Sequence, residues 1–196
     1  MSVHKLLPVA ALPDHTLMLR LMDTFTQRFD ADLEEDIARL RQDGWLSACI
    51  PYEAGGVGLT YQADSLSEAI DFLLRLGGAN LALGRLFEGH ANACKLVHSF
   101  ATRQQADHVW QRVHQGALLG VWGADGDRPV TLVTARGADA LTGSKSFCSG
   151  LGSVSIAIVS AQTDAGLQLI LADVTDVARA DPTAWRLAGM QATRSG

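Results

Sequence analysis

Phe147 and Ser149 stand two apart in the stretch GSKSFCSG, residues 143–150. Side chains two apart share one face of an extended strand, so this pair can offer an aromatic wall to a flat ring and a hydroxyl donor to its edge. Trp122, Gly123 and Ala124 end an apolar run and open a stretch rich in Gly and Asp. His90, in Glu88-Gly89-His90, is a side chain of the type suited to move a proton near neutral pH. Each of these has a plainer reading: a turn leading into a strand that carries Phe147 inward, a buried Trp at a strand end, and an ordinary helix histidine.

Other chemistries find less support. His98, His108 and His114 show no metal-ligand spacing on a shared face, and no HExxH occurs, so no metal is expected. Cys49, Cys94 and Cys148 are far apart and form no CxxC pair, which suits reduced thiols better than disulfides. The formal charge is −5 with no basic run, which excludes the electrostatic footprint of a nucleic-acid binder. No apolar run approaches the roughly 18 residues of a bilayer span. The apolar start LLPVAAL is short, contains Pro8 and lacks an A-x-A cleavage pattern, so a cytoplasmic, unexported chain is expected. In PYEAGGVG, residues 51–58, three glycines in four positions permit close backbone approach, yet neither the dinucleotide nor the Walker spacing is met.

The elements that must position these residues fall into two groups. Up to about Gly116, apolar residues recur at helical spacing, as in Leu17, Leu21, Phe25 and Phe29, predicting helices over 15–29, 32–43, 61–76, 80–100 and 103–115. Asp14 and Asp32 stand as N-caps, Gly44 and Gly77 as C-terminal stops, and Thr102 with Gln105 as a capping box. Beyond residue 116, runs rich in Val, Ile and Thr predict strands over 117–122, 130–135, 154–161 and 167–174, punctuated by turns at 123–127, 137–139, 150–152 and 164–166. Helices followed by strands without βαβ alternation predict an α+β fold: a helical domain over 1–116 joined to a small antiparallel barrel or sandwich domain over 117–196.

Three blocks together resemble the amino-terminal and middle domains of acyl-CoA dehydrogenase-like flavoproteins, over roughly residues 37–196. They are GWLSACIPYEAGGVGL (44–59), LTGSKSFCSG (141–150) and GMQATRSG (189–196), the last with Gln191 where the family usually has Arg; Trp185 fits the same pattern. In that family the second block is the flavin-contacting strand. The resemblance therefore implies that Phe147, Cys148 and Ser149 contact an isoalloxazine ring, with Ser149 near N5, and that Trp122, Gly123 and Ala124 meet the flavin edge. The sequence F-C-S-G resembles the flavin monooxygenases of the same fold, such as the dibenzothiophene monooxygenase type. The family's Thr-Glu-Pro signature after the first barrel strand is replaced here by WGADGDRP, residues 122–129.

What the resemblance implies is an FAD-dependent oxidoreductase acting on the CH–CH group of an acyl-CoA. One alternative is a flavin-dependent monooxygenase using reduced FMN or FAD and oxygen, in which His90 serves as proton donor. Another is a non-catalytic association domain. The family's carboxy-terminal helical bundle, with its catalytic Glu and much of its oligomer contact, has no counterpart in this sequence. The chain by itself is accordingly expected to be inactive, and the complete protein to be a homo-oligomer acting on a small molecule.

Overall fold

In the computed structural model, the residues described are 33–60, 65–135, 138–177 and 191–195. The first expected helix, 15–29, the caps Asp14 and Asp32, and Trp185 and Gly189 lie outside them. Five helices come first: α1 (Leu33–Gln42), α2 (Trp45–Ala48), α3 (Leu66–Ala79), α4 (Leu81–Phe100) and α5 (Arg103–His114). Gly44 stops α1 in the left-handed region at φ 80, and Thr102 caps α5 with the full reciprocal box to Gln105.

Gly77 does not stop its helix; α3 runs through Gly77 and Gly78 to Ala79. The reason lies on α4, where a Cβ added at Gly84 would come within 2.8 Å of the Gly77 Cα. The glycines let the two helices touch, and the break falls at Asn80, whose side chain accepts from the Leu83 N–H and caps α4. Trp45 stacks on Phe72 with ring centroids 3.9 Å apart, and Phe72 meets Phe87 edge-on at 4.8 Å, joining α2, α3 and α4 in one aromatic core.

Five strands follow: β1 (Leu118–Trp122), β2 (Thr131–Ala135), β3 (Ala138–Thr142), β4 (Val154–Thr163) and β5 (Gly166–Asp173). The α+β class and the helices-then-strands order stand, while the sheet is mixed where an antiparallel one was expected. β1 pairs β4 in parallel, because the β2–β3 hairpin intervenes and returns the chain in the direction it left. β4 spans both edges: β5 runs antiparallel along one, and β1 and then Thr131 of β2 share the other. β3 was not anticipated, since Ala138 and Asp139 read as turn residues; they are held in the hairpin by the Ala135↔Ala138 and Thr134↔Asp139 pairs.

The register puts Val121, Ile158 and Leu171 on one face of the sheet, toward α4, whose Leu96, Val97 and Phe100 meet Ile158 and Leu171 around a small pocket. On the opposite face Trp122, Val159 and Ile170 border a cavity of about 800 Å³, with Leu141, Lys145 and Cys148 along its rim. Arg41 of α1 donates through Nε to the Gly116 carbonyl at 2.7 Å just before β1. Gly116 sits at φ +95, and a Cβ there would lie 2.3 Å from the Arg41 side chain, so only glycine admits this tie. Among the described residues no helix is long and apolar enough to cross a membrane, and no group of His, Cys, Asp or Glu is placed to hold a metal ion.

Candidate functional site

β1 delivers Trp122 to the edge of the sheet, and the segment after it runs beside residues 144–146. Three backbone hydrogen bonds join the two: Gly126 N to Ser144 O at 2.9 Å, Ser144 N to Arg128 O at 2.8 Å, and Ser146 N to Ala124 O at 2.9 Å. Lys145, its side chain only 5% exposed, fastens this pair of segments. Its ammonium donates to Asp125 Oδ1 at 2.5 Å, Ser160 Oγ at 2.7 Å and Gly123 O at 3.2 Å, while Ser160 also donates to Gly123 O at 2.8 Å. The hydrogen bond from Lys145 holds the Asp125 carboxyl below the usual carboxylate range. Gly123 and Ala124 are thus set by a lysine and a serine that sequence reading had not singled out.

The expectation of a strand through Phe147 and Ser149 is corrected. Past the isolated Asp125↔Lys145 bridge the chain turns: the Ser149 N–H returns to the Phe147 carbonyl at 2.9 Å and Phe147 adopts φ 60. A bond two residues back and a left-handed residue are incompatible with a ladder, so the two side chains are grouped by a turn and not by strand alternation. Phe147 does not point inward either; it is 58% exposed. Cys148 is the buried member, its thiol pushed up to about 11 chiefly by burial, with Lys145 opposing.

Three contacts hold this turn from behind. Trp122 Nε1 donates to the Ser149 carbonyl at 3.3 Å, Gly150 N donates to Thr193 O at 2.8 Å, and Ser195 Oγ donates to Ser149 Oγ at 3.2 Å. Gly150 needs its missing side chain, since at φ +81 a Cβ would meet Val154 and Leu86 at 2.8 and 3.0 Å. Trp122, Phe147, Cys148 and Ser149 are therefore assembled at one place, with Gly123 and Ala124 fixed alongside. Thr193 and Ser195, both buried, belong to the same assembly and were missed. Their hydroxyls, two apart in the block GMQATRSG, were the available signal.

His90 lies elsewhere in the network. It is wholly buried on α4; its Nδ1 accepts from the Leu119 N–H of β1 at 3.1 Å and its Nε2 is 3.0 Å from the Leu46 carbonyl of α2. Since Nδ1 accepts, Nε2 carries the proton, and the neutral ring bridges two elements across α4. Burial pushes its pKa down to about 4, with the Leu46 carbonyl opposing. Both ring nitrogens are committed to backbone groups, the Leu119 N–H and the Leu46 carbonyl.

Among solved structures, dibenzothiophene monooxygenase TdsC from Paenibacillus sp. A11-2, crystallised with FMN and indole, is 25% identical with a TM-score of 0.71, over 92% of this chain and 48% of that one. This chain has the acyl-CoA dehydrogenase fold. Methanesulfinate monooxygenase MsuC from Pseudomonas fluorescens shares it at 19% identity and a TM-score of 0.70, over 98% of this chain and 49% of the other. An acyl-CoA dehydrogenase from Geobacillus kaustophilus is more distant, at 12% identity and a TM-score of 0.52, over 83% and 44%. The chain spans about half the length of the structures it matches. No protein-family model and no curated protein matches it.

Proposed function

We propose that this chain carries part of the flavin site of a flavin-dependent oxidoreductase of the monooxygenase type, acting with reduced FMN or FAD and oxygen on a small organic substrate. The observation that carries the reading is the ledge of exposed Phe147 and half-buried Ser149, held by a hydrogen bond from the buried Trp122, on a fold whose 25%-identical representative TdsC was crystallised with FMN. The monooxygenase reading is better supported than the acyl-CoA dehydrogenase reading. TdsC and MsuC, both more similar than the dehydrogenase, are monooxygenases, the dehydrogenase is 12% identical, and the Thr-Glu-Pro signature is missing from residues 122–129.

The residues suit a flavin. An exposed ring held at positive φ offers an apolar face. Ser149 offers a hydroxyl to a ring nitrogen, and the Lys145 and Ser160 bonds keep the Gly123 and Ala124 backbone in place beside it. Bound reduced flavin would supply the electron pair and the activation of oxygen. The chain's own part is to cover one ring face with Phe147, to orient the ring edge through Ser149, and to hold both rigidly from the sheet. In this reading His90 is a positioning group that locks β1 to the helical part, the role of proton donor passing to another group. The division into a helical unit over 1–116 and a sheet unit over 117–196 is part of the same proposal.

The ledge is open, so binding by the 196-residue chain is expected to be saturable but weak, with a dissociation constant between about 10 µM and 1 mM. Titration with FMN and with FAD, read by flavin fluorescence, tests this; no saturation with either up to about 1 mM sinks the proposal. In the complete protein, bleaching of bound flavin by an acyl-CoA under anaerobic conditions would restore the dehydrogenase reading.

A further inference from the structure

Thr193, Ser195 and Ser149 form a line of three hydroxyls ending at the ledge. Thr193 is fully buried and Ser195 is 2% exposed, whereas Ser149 is partly exposed. Ser195 Oγ donates to Ser149 Oγ at 3.2 Å, and Ser195 Oγ lies 2.6 Å from Thr193 Oγ1. A hydroxyl has one proton. With Ser195's proton on Ser149, the shorter bond must be donated by Thr193, so the line has one direction. Ser149 then accepts from Ser195, which leaves its own proton to be donated elsewhere. The backbone fixes the line, since the Gly150 N–H donates to the Thr193 carbonyl at 2.8 Å.

We infer that Thr193 and Ser195 are positioning residues that orient and polarise the Ser149 hydroxyl as a hydrogen-bond donor to a flavin ring nitrogen. The inference rests on the flavin reading and deepens it. Without the line, a serine hydroxyl rotates among three staggered positions and donates in any of them. With it, one rotation is favoured, and a chain of aligned hydroxyls strengthens the last donor, by about 10–30% per bond in condensed-phase estimates. Burial of Thr193 and Ser195 keeps water from competing for those bonds.

A double-mutant cycle on the 196-residue chain, titrated with FMN, tests it. Ser195→Ala should raise the FMN dissociation constant about three- to tenfold and shift the visible absorption band of bound FMN. Ser195→Thr, which keeps the hydroxyl, should restore both. In a Ser149→Ala background, Ser195→Ala should change the dissociation constant by less than about twofold, because its effect runs through Ser149. Thr193→Val, nearly isosteric, should cause a smaller loss in the same direction and serves if Ser195→Ala fails to fold. Additive losses in the two backgrounds, or an unchanged absorption band in Ser195→Ala and Thr193→Val, would overturn the relay while leaving flavin binding intact. An unaltered chain that binds no FMN would overturn the flavin reading and the relay with it.

Discussion

Phe147 combines φ 60 with a side chain 58% exposed, and neither is favourable for a bulky residue. A left-handed non-glycine residue costs about 1–3 kcal/mol, while glycine adds about 0.5–1 kcal/mol of chain entropy. Phe147→Gly is therefore expected to raise stability by up to about 1 kcal/mol while weakening FMN binding. Thermal melts and FMN titration should move in opposite directions; FMN binding that is unchanged would show that Phe147 has no part in the site. His90 gives a second test. Its folded pKa of about 4 lies below the ordinary value of 6.5, so between those values the unfolded chain binds a proton that the folded one refuses. Stability from this group is complete above pH 6.5 and is lost as pH falls to 4, by roughly 3 kcal/mol. His90→Gln keeps a donor and an acceptor but cannot titrate, so denaturation at pH 7, 5.5 and 4 should show a shallower acid decline than in the unaltered chain. Equal declines would mean that the buried neutral ring is wrong.

Between elements, the contacts that matter are few and far apart in sequence. Lys145 joins the segment after β3 to the end of β1 and to Ser160 of β4. Lys145→Met keeps the stem but removes three donated bonds, and a loss of about 1–3 kcal/mol is expected; the share from exposed Asp125 is discounted for solvent screening. Hydrogen exchange should quicken at Gly126 and Ser146, whose N–H groups bridge the two segments. Unchanged exchange there would show that the backbone bonds hold without the lysine. The capping box at Thr102 and the stop at Gly44 were readable in advance because caps act within one turn. The run of α3 through Gly77 was not, because it depends on Gly84 in the next helix.

For the molecule as a whole, the core encloses all three thiols. Cys49, Cys94 and Cys148 are buried and form no disulfide, and burial pushes Cys49 up to about 12 and Cys148 to about 11. Since the thiolate is the reactive form, iodoacetamide at about pH 8 should leave all three unmodified in the folded chain and modify three after denaturation. Modification of Cys148 in the folded chain would mean that the turn behind Phe147 opens. Local periodicity alone determined that helices precede strands, since that signal is written in neighbours along the chain, while residues 122–124 and 147–149 were singled out by the family resemblance of the blocks around them. Only the tertiary structure decided that β1 and β4 pair in parallel, that Phe147 leaves the strand, that His90 is a neutral bridge, and that Thr193 and Ser195 stand behind Ser149. Those features are hydrogen bonds and close approaches between residues 29 to 46 positions apart for His90 and Ser149, and one residue's propensity carries no record of such a partner.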